Sequence, residues 1–448
     1  MAIQVMSKSI VKPAVATPDH LKICKLSFFD QLAPPAHVPL VSFYHNTTIS
    51  QHEIRKHLVT SLSLALAKFY PFAGRFVQDG FYVDCNDEGV LYVEAEVDLE
   101  LDAFLGIARK NVELVNDLVP WTSIGETSLV TTPIMGIKVT MFKCGGLSIA
   151  ILLSHVIADG YTAATFVHEW AVTTSHQLAT INHADVFATK SNNYEFGVAT
   201  YFPSRDLSAE IKPAQVPSSK IKDGKIVTKR FVFDENAILT LKAKVSKSTN
   251  ISRPTRVEVV TSTIWKALVN MAVNQSKRKQ STLYLHLNLR GRTSTMAPPL
   301  PSDNTSLCGN FYMEVPTKIN NNQTDARDLH DIVNLLRKSL RNALGECSKI
   351  SSPDKMFSEV AKNFNEIEEG KGSEEEDVHL LSTLCRFPVY EVDFGWGKPE
   401  WVTTGGIPAE LIFLFDTKCE TGIEAIVNLN EADMIEFEND VDINAYTS

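Results

Sequence analysis

Apolar residues recur at three- and four-residue steps through Ile54, Leu58, Leu62, Leu66 and Phe69, directly after Ser50-Gln51-His52-Glu53. That spacing predicts an amphipathic helix, started by a Ser-x-x-Glu capping box and stopped at Tyr70-Pro71. Short apolar runs at 81–84 and 90–97 flank Asn86-Asp87-Glu88-Gly89 and predict two strands about a turn. Runs at 139–142 and 147–153, separated by Cys144-Gly145-Gly146, predict a hairpin whose second strand is buried on both faces. Beyond Asp159-Gly160, helical spacing resumes at Ala163, Phe166, Val167, Trp170 and Ala171.

Periodicity lapses from 204 to 225, where Pro213, Pro217, Ser218, Ser219 and Gly224 accumulate. This predicts an N-terminal domain over 1–205, a crossover loop over 206–225 and a second domain over 226–448. In the second half, strands are expected at 227–233, 283–289, 411–415 and 423–429, and helices at 235–246, 256–273 and 325–344. A Pro-rich loop is expected at 298–301, and the acidic run 366–377 reads as an exposed loop. Strands alternating with helices make the fold class α/β.

The length of 448 residues accommodates two or three domains, and 44% hydrophobic with 21% charged residues is ordinary globular composition. The net charge of -10 is uneven. Between 220 and 279, fourteen basic residues face four acidic ones, so this segment carries +10 and the remainder -20. The overall balance disfavours nucleic acid and anionic membrane surfaces, whereas the basic segment suits a small polyanion or a solvated face. Seven scattered cysteines without a C-x-x-C pair form neither a disulfide framework nor a zinc signature. No signal-peptide core precedes the first domain, and the longest apolar stretch, 147–153, is far short of the ~20 residues of a membrane helix. A cytoplasmic location is expected.

Phosphate-binding glycine loops, a G-x-S-x-G elbow and H-E-x-x-H are absent from the sequence. Ser154-His155-Val156-Ile157-Ala158-Asp159-Gly160 falls where a buried strand meets a helix, the edge at which α/β folds place ligands. There His155 is either a neutral general base or a hydrogen-bonded core histidine, with Asp159 capping the next helix. Asp393-Phe394-Gly395-Trp396-Gly397 reads as a tight structural turn. Asn288-Leu289-Arg290-Gly291-Arg292 offers arginines at a strand end that could pair with a buried carboxylate.

His155-x-x-x-Asp159-Gly160 followed by Asp393-Phe394-Gly395-Trp396-Gly397 resembles the BAHD family of plant acyl-CoA-dependent acyltransferases. Leu26-Ser27-Phe28-Phe29-Asp30-Gln31, Tyr70-Pro71-Phe72-Ala73-Gly74-Arg75, Asp84-Cys85-Asn86-Asp87-Glu88-Gly89-Val90 and the Asn288-to-Arg292 segment extend the match along nearly the whole chain. The resemblance implies two domains of related, chloramphenicol acetyltransferase-like topology, with mixed sheets, flanking helices and a channel at their interface. Part of 380–400 would pair with the first sheet. His155 would be the general base for direct acyl transfer from acyl-CoA, a co-substrate and not a bound cofactor, to the hydroxyl of a small molecule. Asp159 would pair with an arginine, Arg290 in preference to Arg292, while Asp393, Gly395, Trp396 and Gly397 would be structural. The basic segment would lie on the CoA side, with Ser252, Arg253, Thr255, Gly309 and Asn310 as cofactor contacts. No metal is implied, and a monomer is expected.

Departures from the family pattern bear on the substrate. Members using aromatic acyl groups often carry a Trp where this chain has Leu384, so the Thr383 hydroxyl becomes the candidate oxyanion donor, worth ~3 kcal/mol. Leu307-Cys308-Gly309-Asn310-Phe311 replaces the Y-F-G-N-C pattern associated with malonyl transfer. Both departures favour an acetyl or short branched acyl group, with aromatic acyl or N-acyl transfer as the alternative. Condensation-type relatives usually show paired histidines, whereas Ser154 precedes His155 here. A noncatalytic relative that binds small molecules is the reading from another class.

Overall fold

A computed structural model describes residues 2–45, 49–121, 132–179, 194–207, 211, 225–248, 253–274, 280–293, 296, 299–300, 306–320 and 328–448. The strands are β1 (Ile3–Val11), β2 (Ile23–Lys25), β3 (His37–Tyr44), β4 (Arg75–Val77), β5 (Tyr82–Asp84), β6 (Val90–Val97), β7 (Met135–Phe142), β8 (Leu147–Ser154), β9 (Ile226–Phe233), β10 (Gln280–Asn288), β11 (Tyr312–Asn320), β12 (Glu376–Thr383), β13 (Trp401–Thr403), β14 (Leu411–Asp416) and β15 (Ile423–Asn430). The helices are α1 (Phe28–Leu32), α2 (Gln51–Lys68), α3 (Leu101–Ala108), α4 (Gly160–Ala179), α5 (Val198–Tyr201), α6 (Glu235–Ser248), α7 (Arg256–Asn274), α8 (Leu329–Cys347), α9 (Pro353–Gly372), α10 (Glu431–Glu438) and α11 (Val441–Tyr446).

Two six-stranded mixed sheets organise the chain, one in the order β1-β6-β7-β8-β3-β13 and the other β11-β10-β12-β14-β15-β9. In the first, only β6 and β7 run parallel; in the second, β10, β12 and β14 do. The predicted capping box starts α2: Ser50 Oγ accepts the Glu53 N–H, and Glu53 accepts from Ser50 N–H. Its apolar stripe packs with Phe166, Val167 and Trp170 of α4 over one face of the first sheet. β8 is buried at all eight positions, as its uninterrupted apolar run requires. A second apolar cluster joins Val41, Phe43 and Ala150 of the first sheet to Phe413, Phe415 and Ile426 of the second. β13 adds to this junction from far along the chain. Trp401 stacks on Phe43 at 5.3 Å while its indole N–H donates to Glu424 in β15 at 2.7 Å.

Three features depart from the sequence reading. The acidic run 366–377 is the end of α9 and the start of β12. Ile367 and Gly370 turn inward while Glu366 and Glu368 pair with Lys318 and Lys371, so the charges occupy the outer face of a helix. β1, legible only as scattered apolar and lysine residues, is an edge strand exposed along most of its length, which leaves no buried face to impose alternation. The strand that returns to the first sheet is Trp401–Thr403, just beyond 380–400. Most of the expected crossover, 206–225, and the Pro298 and Pro301 positions lie outside the described residues. All seven cysteines are unpaired thiols. Among the described residues, no helix is long and apolar enough to cross a membrane.

Candidate active site

β8 ends at Ser154, and the next residue, His155, donates its backbone N–H to Ala36 at 2.8 Å. The turn then delivers Asp159 to the start of α4, where Asp159 Oδ1 accepts the Thr162 N–H at 2.9 Å. Its other oxygen faces Arg290, just past β10. Asp159 Oδ2 accepts from Arg290 Nη1 at 2.7 Å and from the Phe311 N–H at 3.1 Å. The remaining Arg290 donors meet Leu307 O, Asn288 Oδ1, Thr162 Oγ1 and Gly309 O, so every guanidinium N–H is satisfied. Burial opposes ionisation of Asp159, but Arg290 and the two backbone N–H donors hold its carboxyl below the usual carboxylate range. Arg292 instead donates to Asn288 O.

The Asp159–Arg290 pair therefore joins the two sheets and fixes the loop between β10 and β11. That loop carries Gly309, at φ +122°, and Asn310, which is fully buried. Asn310 Nδ2 donates to Asp30 Oδ1 at 2.8 Å and to His155 O at 2.7 Å. Both partners are acceptors, so the amide orientation is determined and Oδ1 lies 3.2 Å from His155 Nδ1. His155 must then carry its proton on Nδ1, which leaves the Nε2 lone pair free. Burial, reinforced by the nearby His286, lowers the His155 pKa from its ordinary value and keeps the ring neutral at pH 7.

Behind Asn310, Asp30 is enclosed in α1. Its carboxyl accepts from Ser27 N–H and Oγ–H at 2.7 Å each, and burial pushes it up to about 6. Sequence reasoning assigned no role to Asp30: the Ser27-x-x-Asp30 spacing marks a helix cap, and its second use, against a residue 280 positions later, is tertiary. Tyr312 and His286 were also missed. The Tyr312 ring lies 5.9 Å from the His155 ring and 5.3 Å from that of His286.

The remaining expected site residues are dispersed. Gly309 and Asn310, expected as cofactor contacts, form the inner support of His155 and Asp159, and the side-chain donors of Asn310 are all committed. Thr255 Oγ1 accepts the Glu258 N–H in a cap of α7, and Arg253 is exposed in a left-handed conformation, φ +57°. Ser252 lies outside the described residues. Within the basic segment, Lys229, Arg230, Arg256 and Lys266 are held in ion pairs with Glu438, Glu424, Asp416 and Asp442, which narrows the positive field available to a ligand. Thr383, at the end of β12, accepts the Cys385 N–H at 3.2 Å, and its hydroxyl also lies within hydrogen-bonding reach of the Cys385 thiol.

Asp393 Oδ1 accepts the N–H groups of Gly395 and Gly397 at 2.7 and 2.9 Å, closing the turn. Phe394 is buried edge-on against Trp170 at 5.0 Å, and Trp396 stacks on it at 5.4 Å. This turn packs against the first domain's core.

A family model described as the Transferase family matches residues 1–443. The chain belongs to this family, the BAHD acyltransferases. It is 32% identical to acetyl-CoA-benzylalcohol acetyltransferase of Clarkia breweri over 100% of both chains. It is 31% identical to salutaridinol 7-O-acetyltransferase of Papaver somniferum, over 98% of this chain and 96% of the relative. The crystal structure of vinorine synthase superposes with a TM-score of 0.80 at 29% identity, covering 100% of this chain and 99% of the other. As a BAHD member, the protein is an acyltransferase with the two-domain acyltransferase fold.

Proposed function

We propose that this enzyme transfers an acetyl or short branched acyl group from acyl-CoA to the hydroxyl of a small plant metabolite. His155 is the general base. The observation that carries this reading is the Asn310 amide, which holds the His155 proton on Nδ1 and leaves Nε2 as the base. The acceptor hydroxyl gives its proton to Nε2 while its oxygen attacks the thioester carbonyl. The Thr383 hydroxyl donates to the oxyanion of the tetrahedral intermediate. The C–S bond then breaks, and the proton on Nε2 passes to the departing CoA sulfur. A covalent acyl-enzyme on the nearby thiol is disfavoured, because burial pushes Cys308 up to about 12. The names of the relatives above support acetyl-CoA as donor.

His155, His286 and Tyr312 are enclosed by protein and yet keep accessible surface, which supports a channel between the domains. CoA enters on the side of Arg253 and Thr255, where the sequence also offers Ser252 as a contact. The domains divide at 206–225, with Trp401–Thr403 returning to the first sheet. The enzyme works in the cytoplasm as a monomer; seven unpaired thiols suit a reducing compartment. The test incubates the purified protein with a panel of acyl-CoAs and alcohols, and reads ester product and free thiol together. Acetyl-CoA with an alcohol yields both in equal amounts; hydrolysis without ester would refute the transfer.

A further inference from the structure

One polar face of the second sheet beside His155 has no part in the steps above. His286 in β10 and Glu314 in β11 stand directly opposite in the antiparallel ladder, which puts their Cβ atoms about 5 Å apart on one face. Tyr312, two residues before Glu314, shares that face and bridges towards His155. The alternating residues Leu287, Met313 and Val315 point the other way, into an apolar cluster. The polar face therefore continues from the reacting centre.

Its groups keep acceptor atoms that no other described side chain pairs with. His286 Nδ1 donates to Leu381 O at 3.1 Å, leaving Nε2 with a free lone pair. Among the described residues no ion pair reaches the Glu314 carboxyl: Lys318 on the same strand pairs with Glu366, and Lys371 with Glu368. Burial pushes Glu314 up to about 7, opposed only by its own backbone N–H and the distant Lys371. Both side chains are half-buried, so a molecule in the site can touch them. Neither acceptor is sealed from solvent, so a ligand donor that displaces water there gains a hydrogen bond in a partly enclosed site.

We infer that His286 Nε2 and the Glu314 carboxyl recognise a second hydrogen-bond donor on the acyl acceptor, a hydroxyl or a protonated amine remote from the hydroxyl at His155. This rests on the acyltransferase reading and makes the natural acceptor polyfunctional, a diol, polyphenol or amino alcohol, and not a simple alcohol. His286 and Glu314 are specificity residues in this account, and the reacting atoms belong to His155.

The experiment compares 4-methylbenzyl alcohol, 1,4-benzenedimethanol and 4-(dimethylaminomethyl)benzyl alcohol, together with their 3-substituted isomers, using acetyl-CoA as donor. The wild type should prefer a donor-bearing probe over its methyl analogue by about tenfold in kcat/KM. His286→Leu and Glu314→Leu should reduce that preference to about twofold or less. Glu314→Gln, nearly isosteric, should retain preference for the diol and lose it for the ammonium, and it serves where a Leu variant fails to fold. Turnover of every probe without preference, or a preference unaffected by the variants, overturns the inference and leaves the acyltransferase reading standing. No turnover of any alcohol with any acyl-CoA overturns both.

Discussion

Replacing Asp159 by Ala tests whether the ion pair between the sheets positions the base. The substitution removes three accepted hydrogen bonds, from Arg290, Thr162 and Phe311, and strands a guanidinium whose side chain is 1% exposed. Removing one partner of a buried pair costs roughly 3–5 kcal/mol, because the other charge stays buried without compensation. At about 2–4 °C per kcal/mol for domains of this size, the melting temperature should fall by roughly 10 °C. Activity should fall as well. The 155–159 turn and the Asn310 loop both lose their anchor, and a displacement near 1 Å can cost ~100-fold in kcat. The assay pairs thermal unfolding with initial rates on folded protein. Asp159→Ala/Arg290→Met removes the stranded charge, so it should recover about 1–3 kcal/mol over the single variant without restoring the rate. A single variant with wild-type melting and wild-type kcat would refute the argument, as would a double variant no more stable than the single one.

His155→Ala should lower kcat by about 10²–10⁴ with little change in melting temperature; an unchanged rate excludes it as the base. Asn310→Ala should lower kcat roughly 10–100-fold by releasing the Nδ1 proton and the ring orientation, and a drop confined to KM would contradict that role. If His155 is the base, it must act as the unprotonated ring, and its pKa is lowered; kcat/KM with 4-methylbenzyl alcohol, which offers Glu314 no donor, should hold between pH 7 and 8 and decline only below the ordinary histidine value of about 6.5. Asp30 takes up its proton at about 6, which weakens its hold on Asn310 and adds to the decline; a limb already falling at pH 7.5 would refute the lowered His155 pKa. Gly395→Ala forces φ +101° on a side chain whose Cβ would lie 2.7 Å from Leu178, and should cost about 1–3 kcal/mol of stability while the folded fraction keeps its kcat.

The chain's own pattern was enough for the elements with a buried face or a strong cap, such as α2 behind Ser50 and β8 with its unbroken apolar run. His155 and Asp159 stood out through their place between a buried strand and a helix, and the Asp393 turn through its paired glycines; the family resemblance then gave them roles. Arg290 was named as the partner of Asp159 through family resemblance; spacing alone left it level with Arg292. What pattern could not supply was the use of a residue by elements far away. Asp30 is a helix cap in sequence and a support of Asn310 in space; Glu314 and His286 meet only because β10 and β11 pair in one register. Asn310, expected against CoA, is turned inward because its loop is held by an arginine and a carboxylate from different sheets. Periodicity reports which side of an element is apolar. Which proton sits on His155, and which polar face adjoins it, depends on hydrogen bonds that exist only after the two sheets have packed.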